Sequence, residues 1–385
     1  MGTNGVLKSL IAALLLTATA LAVSLPASAQ DAPSAPPGFA IEWRKLVPPL
    51  RDLAISPQGT RIALLTADSK LAVWDAITPA PLWAKPEVDG TDIYITDGIG
   101  YVVLFDQMNP IDTEVDLFNA ATGKLASRSH ADSAIWDVAV SESGETMAVG
   151  TGNGGLYIYT LDMNPNSTRY QLRGVCNDLS ISPNGQYIVS GLWNGSGVDW
   201  FDTTGHLVSS QTADATQRFE TCVSGNSKQI LGLQYDNHEH RNPVMTMWKV
   251  DGTKRWQLAI GKDAFNARAL VSRTGDYTVA SFYRMIVRDH AWIPERRLLL
   301  VDGNGQELAQ IGGLYLSLTL MFLAPDSKGF VAYDGDRALY RFDRQGNAVS
   351  KWPLTSPIRA WAVTADNKRL VVHTTDNQLT MLRVR

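Results

Sequence analysis

Apolar and polar residues alternate in short runs along most of this chain, and each run ends at turn-forming residues. The stretch from Cys176 to Val208 shows the pattern best. Leu179 and Ile181 alternate with polar neighbours across Asp178–Ser182, which predicts a strand. Pro183-Asn184-Gly185 then presets one φ and supplies a residue that tolerates φ > 0, as a tight turn requires. Tyr187–Leu192 and Val198–Asp202 read as the second and third strands. Thr203-Thr204-Gly205 turns the chain into a fourth at His206–Ser210.

This four-strand unit repeats. The residue that ends each first strand serves as a landmark: Ser56, Thr96, Ser141, Ser182, Ser224, Ser272, Ala324 and Thr364. Successive landmarks lie 40, 45, 41, 42, 48, 52 and 40 residues apart. Four short strands at a period of roughly 40–50 residues are the signature of a β-propeller blade. The expectation is an all-β, eight-bladed propeller, with seven blades the alternative should one of the weaker units be misread. Third strands are placed at Leu71–Asp75, Val115–Asn119, Leu156–Thr160, Val198–Asp202, Met245–Val250, Leu298–Asp302, Ala338–Asp343 and Leu379–Val384. The last unit, Ile358–Arg385, has room for only three strands. The strand-like segment Ala40–Leu46 is expected to pair with it as the missing outer strand and to close the ring.

The units resemble known repeat families. Ile135-Trp136-Asp137-Val138-Ala139-Val140-Ser141 and Val73-Trp74-Asp75 are similar to bacterial WD-repeat propellers. Asp75-Ala76-Ile77-Thr78-Pro79-Ala80-Pro81-Leu82-Trp83 resembles the D-x-x-T-G-x-x-x-W phrase of pyrroloquinoline-quinone-like repeats, with Pro79 in the glycine's place. Asn119–Gly123, Asp202–Gly205 and Asp251–Trp256 are partial versions of it. The resemblance covers nearly all of 41–385. It implies the propeller fold and leaves function open, because such propellers include dehydrogenases, assembly factors and scaffolds.

The first 29 residues differ in character. Lys8, the apolar run Leu10–Val23 and Ala27-Ser28-Ala29 form a secretory signal with a cleavage site near Ala29. The run is short of the ~20 residues of a membrane span. Residues 30–39, rich in Pro and Ala, read as a linker, and 40–385 as the propeller domain. The mature chain is expected to be periplasmic or secreted, without stable membrane insertion. Its formal charge is −4 before cleavage, and no basic block stands out, so nucleic acid is not an expected partner.

Chemistry is less legible. Four residues before the landmark, the first five units carry Asp52, Asp92, Asp137, Asp178 and Glu220, and the sixth carries Arg268. First strands line a propeller's channel, so these side chains form a ring at one mouth, with Arg51 and Arg359 beside it. The ring reads either as a cation site or electronegative mouth, or as structural, each Asp bonding backbone N–H groups of the preceding loop or pairing with Arg. On the same face, the loops between second and third strands are long at Asp106–Glu114, Tyr235–Pro243 and Tyr283–Arg297. The third bears Arg284, Arg288, Trp292, Arg296 and Arg297, a mixture that suits a protein interface. His238 and His240, with carboxylates near them, are candidate metal ligands.

The two cysteines, Cys176 and Cys222, sit at different heights on neighbouring first strands. The offset is about 13 Å at about 3.3 Å per residue, too far for a disulfide, which needs Cα atoms within roughly 7 Å. No C-x-x-C-H, G-x-S-x-G or H-E-x-x-H occurs, and Gly152–Gly155 reads as a hairpin rather than a phosphate loop. The sequence therefore points to an exported, non-catalytic propeller that binds a protein through its long-loop face, with no cofactor expected. The alternative is a quinone- or divalent-cation-dependent oxidoreductase subunit with its site at the channel mouth.

Overall fold

Each repeat unit folds as one four-stranded antiparallel sheet, and eight such sheets make up the ring. The structure is a computed structural model that describes residues 38–385, apart from 99, 108, 164, 194–196, 213–215, 237–239, 262, 289, 315–318 and 336–337. Residues 1–37, on which the expected secretory signal and most of the expected linker fall, lie outside the described residues. The innermost strands are Leu50–Ile55, Asp92–Ile95, Ile135–Val140, Cys176–Ile181, Gln217–Val223, Ala264–Val271, Thr319–Leu323 and Ile358–Val363. All eight landmarks directly follow these strands, so the count of eight blades holds and the seven-bladed alternative falls.

The ring closes as the pattern requires. Phe39–Leu46 pairs antiparallel with Gln378–Val384, with Phe39 opposite Val384 and Leu46 opposite Gln378. It is the outer strand of the eighth blade and begins one residue inside the stretch assigned to the linker. Trp43 extends the closure by donating its indole N–H to the Ala76 carbonyl of blade one at 2.7 Å.

The structure explains why a hydroxyl recurs at the landmark. The chain reverses between first and second strands, and the landmark oxygen accepts the N–H of the residue five further on. Ser182 accepts from Tyr187 at 2.8 Å, Ser224 from Gln229 at 3.0 Å, and Thr364 from Arg369 at 3.1 Å. Ser56, Thr96, Ser141 and Ser272 do the same. A buried N–H without an acceptor is costly, so the hydroxyl is selected by the turn. Only Ala324 lacks one, which is why blade seven's copy is weak in sequence.

In five blades the turn after the third strand is fixed by the Asp or Asn that ends it: Asp75, Asn119, Asp202, Asp302 and Asp343. Asp202 accepts the N–H groups of Thr204 and His206, and Asp302 those of Asn304 and Gln306. These side chains reproduce a turn's own hydrogen bonding. The glycine of the turn has a further reason. Gly123 has φ +69°, and a Cβ there would meet the Trp83 ring of the preceding blade at 2.8 Å. Trp83 in turn bonds the Ala120 carbonyl at 2.8 Å. The Asp…Gly…Trp phrase is thus a lock between blades.

The core is divided. Eight buried apolar clusters each straddle one pair of neighbouring blades, from Leu65 and Val73 against Ile93 and Leu104 to Val371 and Met381 against Leu53 and Ile62. Second strands are buried on both faces, as in Leu64 and Leu65 or Val371 and Val372. Among the described residues no helix is long and apolar enough to cross a membrane.

One expectation is corrected. Tyr283–Arg297 is not a loop. Blade six's second and third strands, Tyr277–Arg288 and Ala291–Asp302, stay paired through Arg288 opposite Ala291. The added length is a β-hairpin, because alternating residues let the existing ladder continue outward.

The landmark rule can be tested at its exception. Ala324→Ser supplies blade seven's missing acceptor and should stabilise the fold by about 1 kcal/mol, the net value of one such bond. Denaturant unfolding of the variant beside the wild type reads this out, and an unchanged or lower midpoint would refute the rule.

Candidate functional site

The first strands enclose a central cavity of about 500 Å³, walled at the mouth by Asp52, Asp92, Asp137, Asp178, Arg51, Arg268 and Arg359. Five of the six residues named four before the landmark, Asp52, Asp92, Asp137, Asp178 and Arg268, line this one cavity; Glu220 is not among its lining residues. Their bonding is more regular than a bare ring of charge. Asp52 accepts the N–H of Ile93 at 2.9 Å, Asp137 that of Leu179 at 2.7 Å, and Asp178 that of Thr221 at 2.7 Å. In each case the acceptor sits on one blade and the donor is the next blade's first strand. The structural reading named the preceding loop as donor; the actual donor is the neighbouring blade. These carboxylates are staples that hold successive blades at a fixed height.

Asp92 and Glu220 depart from this scheme. Asp92 accepts from the Thr91 hydroxyl at 2.7 Å, and Glu220 from the Tyr235 hydroxyl at 2.5 Å. Burial pushes the Asp137 carboxyl up to about 7, aided by Glu220 nearby and opposed by its bonds to Leu179 and Val138. Burial raises Asp178 too, with Asp137 and Glu220 adding to it, and it raises Glu220. Like charges in a channel of low polarity hold on to protons. Tyr94, packed among Asp137, Asp52 and Asp92, is held neutral by burial and by those carboxylates.

Outside the cavity lining, blades three to six carry contacts between aromatic and cationic side chains. Trp136 and Trp193 meet with ring centroids 5.0 Å apart. Arg218 is 3% exposed and lies 4.7 Å from the Tyr235 ring centroid and 5.9 Å from that of Trp193. Its Nη2 reaches His240 Nδ1 at 2.8 Å. On blade six Phe265 stacks on Tyr283, and Arg296 lies 4.3 Å above the Tyr283 ring. Arg218, Tyr235 and the tryptophan pair were not picked out by sequence. Arg218 sits six residues before its landmark, two from Glu220 on one strand, so a search two positions further up would have found it.

Of the candidate metal ligands, His238 lies outside the described residues. His240 stacks on Tyr235 at 5.3 Å. Burial, with Arg218 next to it, pulls the His240 ring down to about 4. Among the described residues no group of three or more His, Cys, Asp or Glu has metal-binding geometry. Its segment is tied to the next blade by Arg241 opposite Phe265 and by the Asn266 N–H to the His240 carbonyl at 3.0 Å. Cys176 and Cys222 are free thiols.

The partner-loop residues fall at different heights on the hairpin. Arg296 packs over the Tyr283 ring. Arg284 is 3.7 Å from Asp263, and Arg297 pairs with Glu295 at 2.7 Å. Arg288 stands opposite Ala291 at the tip, and Trp292, opposite Val287, is 70% exposed. At the other end the channel is bridged. Arg273 of blade six pairs with Glu142 of blade three at 3.0 Å and also donates to the Ala365 carbonyl of blade eight.

No family model matches the sequence, and no curated protein matches it. Solved structures do. The Dos1 propeller superposes with a TM-score of 0.65 at 15% identity, covering 91% of this chain and 95% of that one. The β-propeller domain of Cps50 (Swd1) from Myceliophteria thermophila gives 0.55 at 11% identity, covering 90% and 100%. Hydrazine synthase from Kuenenia stuttgartiensis gives 0.54 at 12% identity, covering 93% and 99%. Likeness at such identity shows the fold. The chain is a β-propeller.

The raised carboxyls make a signed prediction. Asp137 holds its proton in the folded chain up to about pH 7, against 3.8 ordinarily. Its contribution to stability is full below about pH 4, declines as pH rises, and is lost above the folded value. Asp137→Asn keeps an acceptor and removes the titration. Its stability relative to the wild type should rise between pH 4 and 8, on the order of a few kcal/mol. Urea melts across that range measure the difference, and a constant or falling difference would contradict the assignment.

Proposed function

We propose that this chain is an exported, non-catalytic propeller that binds a protein partner through its mouth face. The observation that carries the reading is the inequality of the two ends. At the far end the described turns between first and second strands are short, as at Ser182–Tyr187 and Ser272–Tyr277, and Glu142, Arg273 and Ala365 tie three blades together across the channel. At the mouth the segment after Phe105, the segment 236–243 and the blade-six hairpin add length, and the aromatic and arginine residues gather there. Rigid scaffolds carry their binding residues on such elaborations. Trp and Arg are the residue types that most often dominate protein interfaces.

The exposed apolar residues fit this placement. Ile111 in the blade-two segment is 93% exposed, and Val287 and Trp292 form an exposed cross-strand pair on the hairpin. They stand on the mouth side, where a partner seated over the channel would cover them. Export rests on the leader read from the sequence.

Replacing 285–294 with an Asn-Gly turn shortens the hairpin without touching the ring. The melting temperature should hold within a few degrees, while crosslinking in the native host should lose the captured partner at least tenfold. An unchanged crosslink pattern would remove the mouth face as the interface. Native mass spectrometry of the exported chain supplies the competing outcome. A stoichiometric quinone or metal would move the assignment to an oxidoreductase subunit using the same cavity.

A further inference from the structure

The channel cavity divides its charges by side. Blades one to four contribute Asp52, Asp92, Asp137 and Asp178 to its lining, and blades six, seven and eight contribute Arg268, Thr319 and Arg359. In a ring of eight blades, blades six, seven and eight stand opposite blades two, three and four. Carboxylates on one side of the cavity therefore face two guanidiniums and a hydroxyl on the other. Arg51 also lies on the acidic side, where it donates to the Gly90 carbonyl at 3.0 Å.

Repetition does not account for this division. The position four before the landmark serves blades one, three and four as an acceptor for the next blade's N–H. Leu320 and Ala360 hold it on blades seven and eight, so the ring closes there without an acid. Arg268 holds it on blade six, and a guanidinium has donors only. Arg359 is the extra residue of a β-bulge, between Ile358 opposite Thr374 and Ala360 opposite His373. Bulges re-aim a side chain, and this one sets Arg359 in the cavity wall with its Nε enclosed and without a partner.

The acidic side has capacity left. Asp178 spends Oδ2 on both the N–H and the hydroxyl of Thr221, so Oδ1 remains for the cavity. Burial raises this carboxyl, and Asp137 adds to the rise, so a cation beside the pair would relieve both costs. Between the two sides the wall is apolar, with Ala54, Ile95, Val140 and Ala362 beside Tyr94 and Trp361. A volume of about 500 Å³ is that of a small-molecule site.

We propose that the cavity binds a small zwitterion whose ammonium meets Asp137 and Asp178 and whose carboxylate meets Arg268 and Arg359, with an apolar body between the two. The inference goes beyond the partner reading and does not rest on it. A lone anion would share the cavity with four carboxylates, and a lone cation would leave the guanidiniums unmet. A ligand that carries both groups answers both sides. An ω-amino acid and a short peptide with free termini present this same chemistry.

The test is calorimetric titration of the intact mature chain, at constant ionic strength, with 6-aminohexanoate and with trialanine, beside hexylammonium and hexanoate. A zwitterion should bind at least about tenfold tighter than either singly charged compound, the worth of one charge-assisted bond. That comparison is made on the wild-type chain, so it decides the matter even where a variant folds poorly. Arg268→Gln and Arg359→Gln should each bring the zwitterion down towards hexylammonium. Asp178→Asn, which keeps an acceptor for Thr221, should bring it down towards hexanoate. Lys124→Gln, in an exposed turn of blade two, should change nothing. Tighter binding of trialanine would identify a peptide, and tighter binding of 6-aminohexanoate an amino acid. No binding of either zwitterion, equal binding of a singly charged compound, or unchanged affinity in both arginine variants would overturn the site. The titration needs no partner protein, so it can fail while hairpin trimming still abolishes capture, and it can succeed when trimming has no effect.

Discussion

A sheet with two apolar faces cannot stand alone in water, and every blade of this protein is such a sheet. The second and third strands are buried on both sides, so each blade depends on a neighbour at either hand. The core is therefore eight separate interfaces rather than one centre. This makes the closing contact indispensable. Without Phe39–Leu46 the outer edge of Gln378–Val384 would present unpaired N–H and C=O groups. Phe39, 2% exposed, would also leave the cluster it shares with Trp352 and Leu382. Ring closure turns eight marginal sheets into one mutually supported body.

The same demand for joining blades puts charge at the mouth. Hydrogen bonds along the sheet satisfy the backbone within a blade, but the first strand of each blade also offers N–H groups to its neighbour. A carboxylate one blade back is a strong acceptor for them. Asp52, Asp137 and Asp178 take this role. Repetition then brings carboxylates into one narrow channel, where burial raises Asp137, Asp178 and Glu220, and repulsion from neighbouring carboxylates adds to it at Asp137 and Asp178. The electrostatics of the mouth are a by-product of architecture as much as a device for binding.

Architecture was legible in the sequence because each recurring residue answers a local requirement of the backbone. Ser182 or Thr364 is needed by its turn, Asp202 by the next, and Gly123 by the Trp83 ring against it. Such requirements repeat every 40–52 residues and can be counted. The ring of acids was legible for the same reason, though not the direction of its bonds, since a strand sequence does not reveal which neighbour donates. The Arg218 cluster escaped because it occurs once. Its members Trp193, Arg218, Tyr235 and His240 come from different strands and connecting segments of two blades, and only the packing of those blades brings them together. The hairpin was mistaken for a loop because Pro294 and the charged residues in Tyr283–Arg297 mask an alternation that the ladder nevertheless accepts.

These constraints also explain why one end of the ring is free to specialise. At the far end both turns are specified in most blades, one by the landmark hydroxyl in all but blade seven and the other by the Asp or Asn closing the third strand in five blades. A residue added there breaks a bond that the buried backbone needs. The mouth carries the connection between second and third strands, where no comparable acceptor recurs in all blades. Blade one crosses it in Ala67–Lys70, while blade six runs its ladder on to Arg288 before turning. Variation is cheap at the mouth and costly at the far end, so binding chemistry accumulates where the repeat is least demanding. The Glu142–Arg273 bridge strengthens that division, because it fixes blades three, six and eight from below and leaves the mouth's elements carried on a ring that does not have to move.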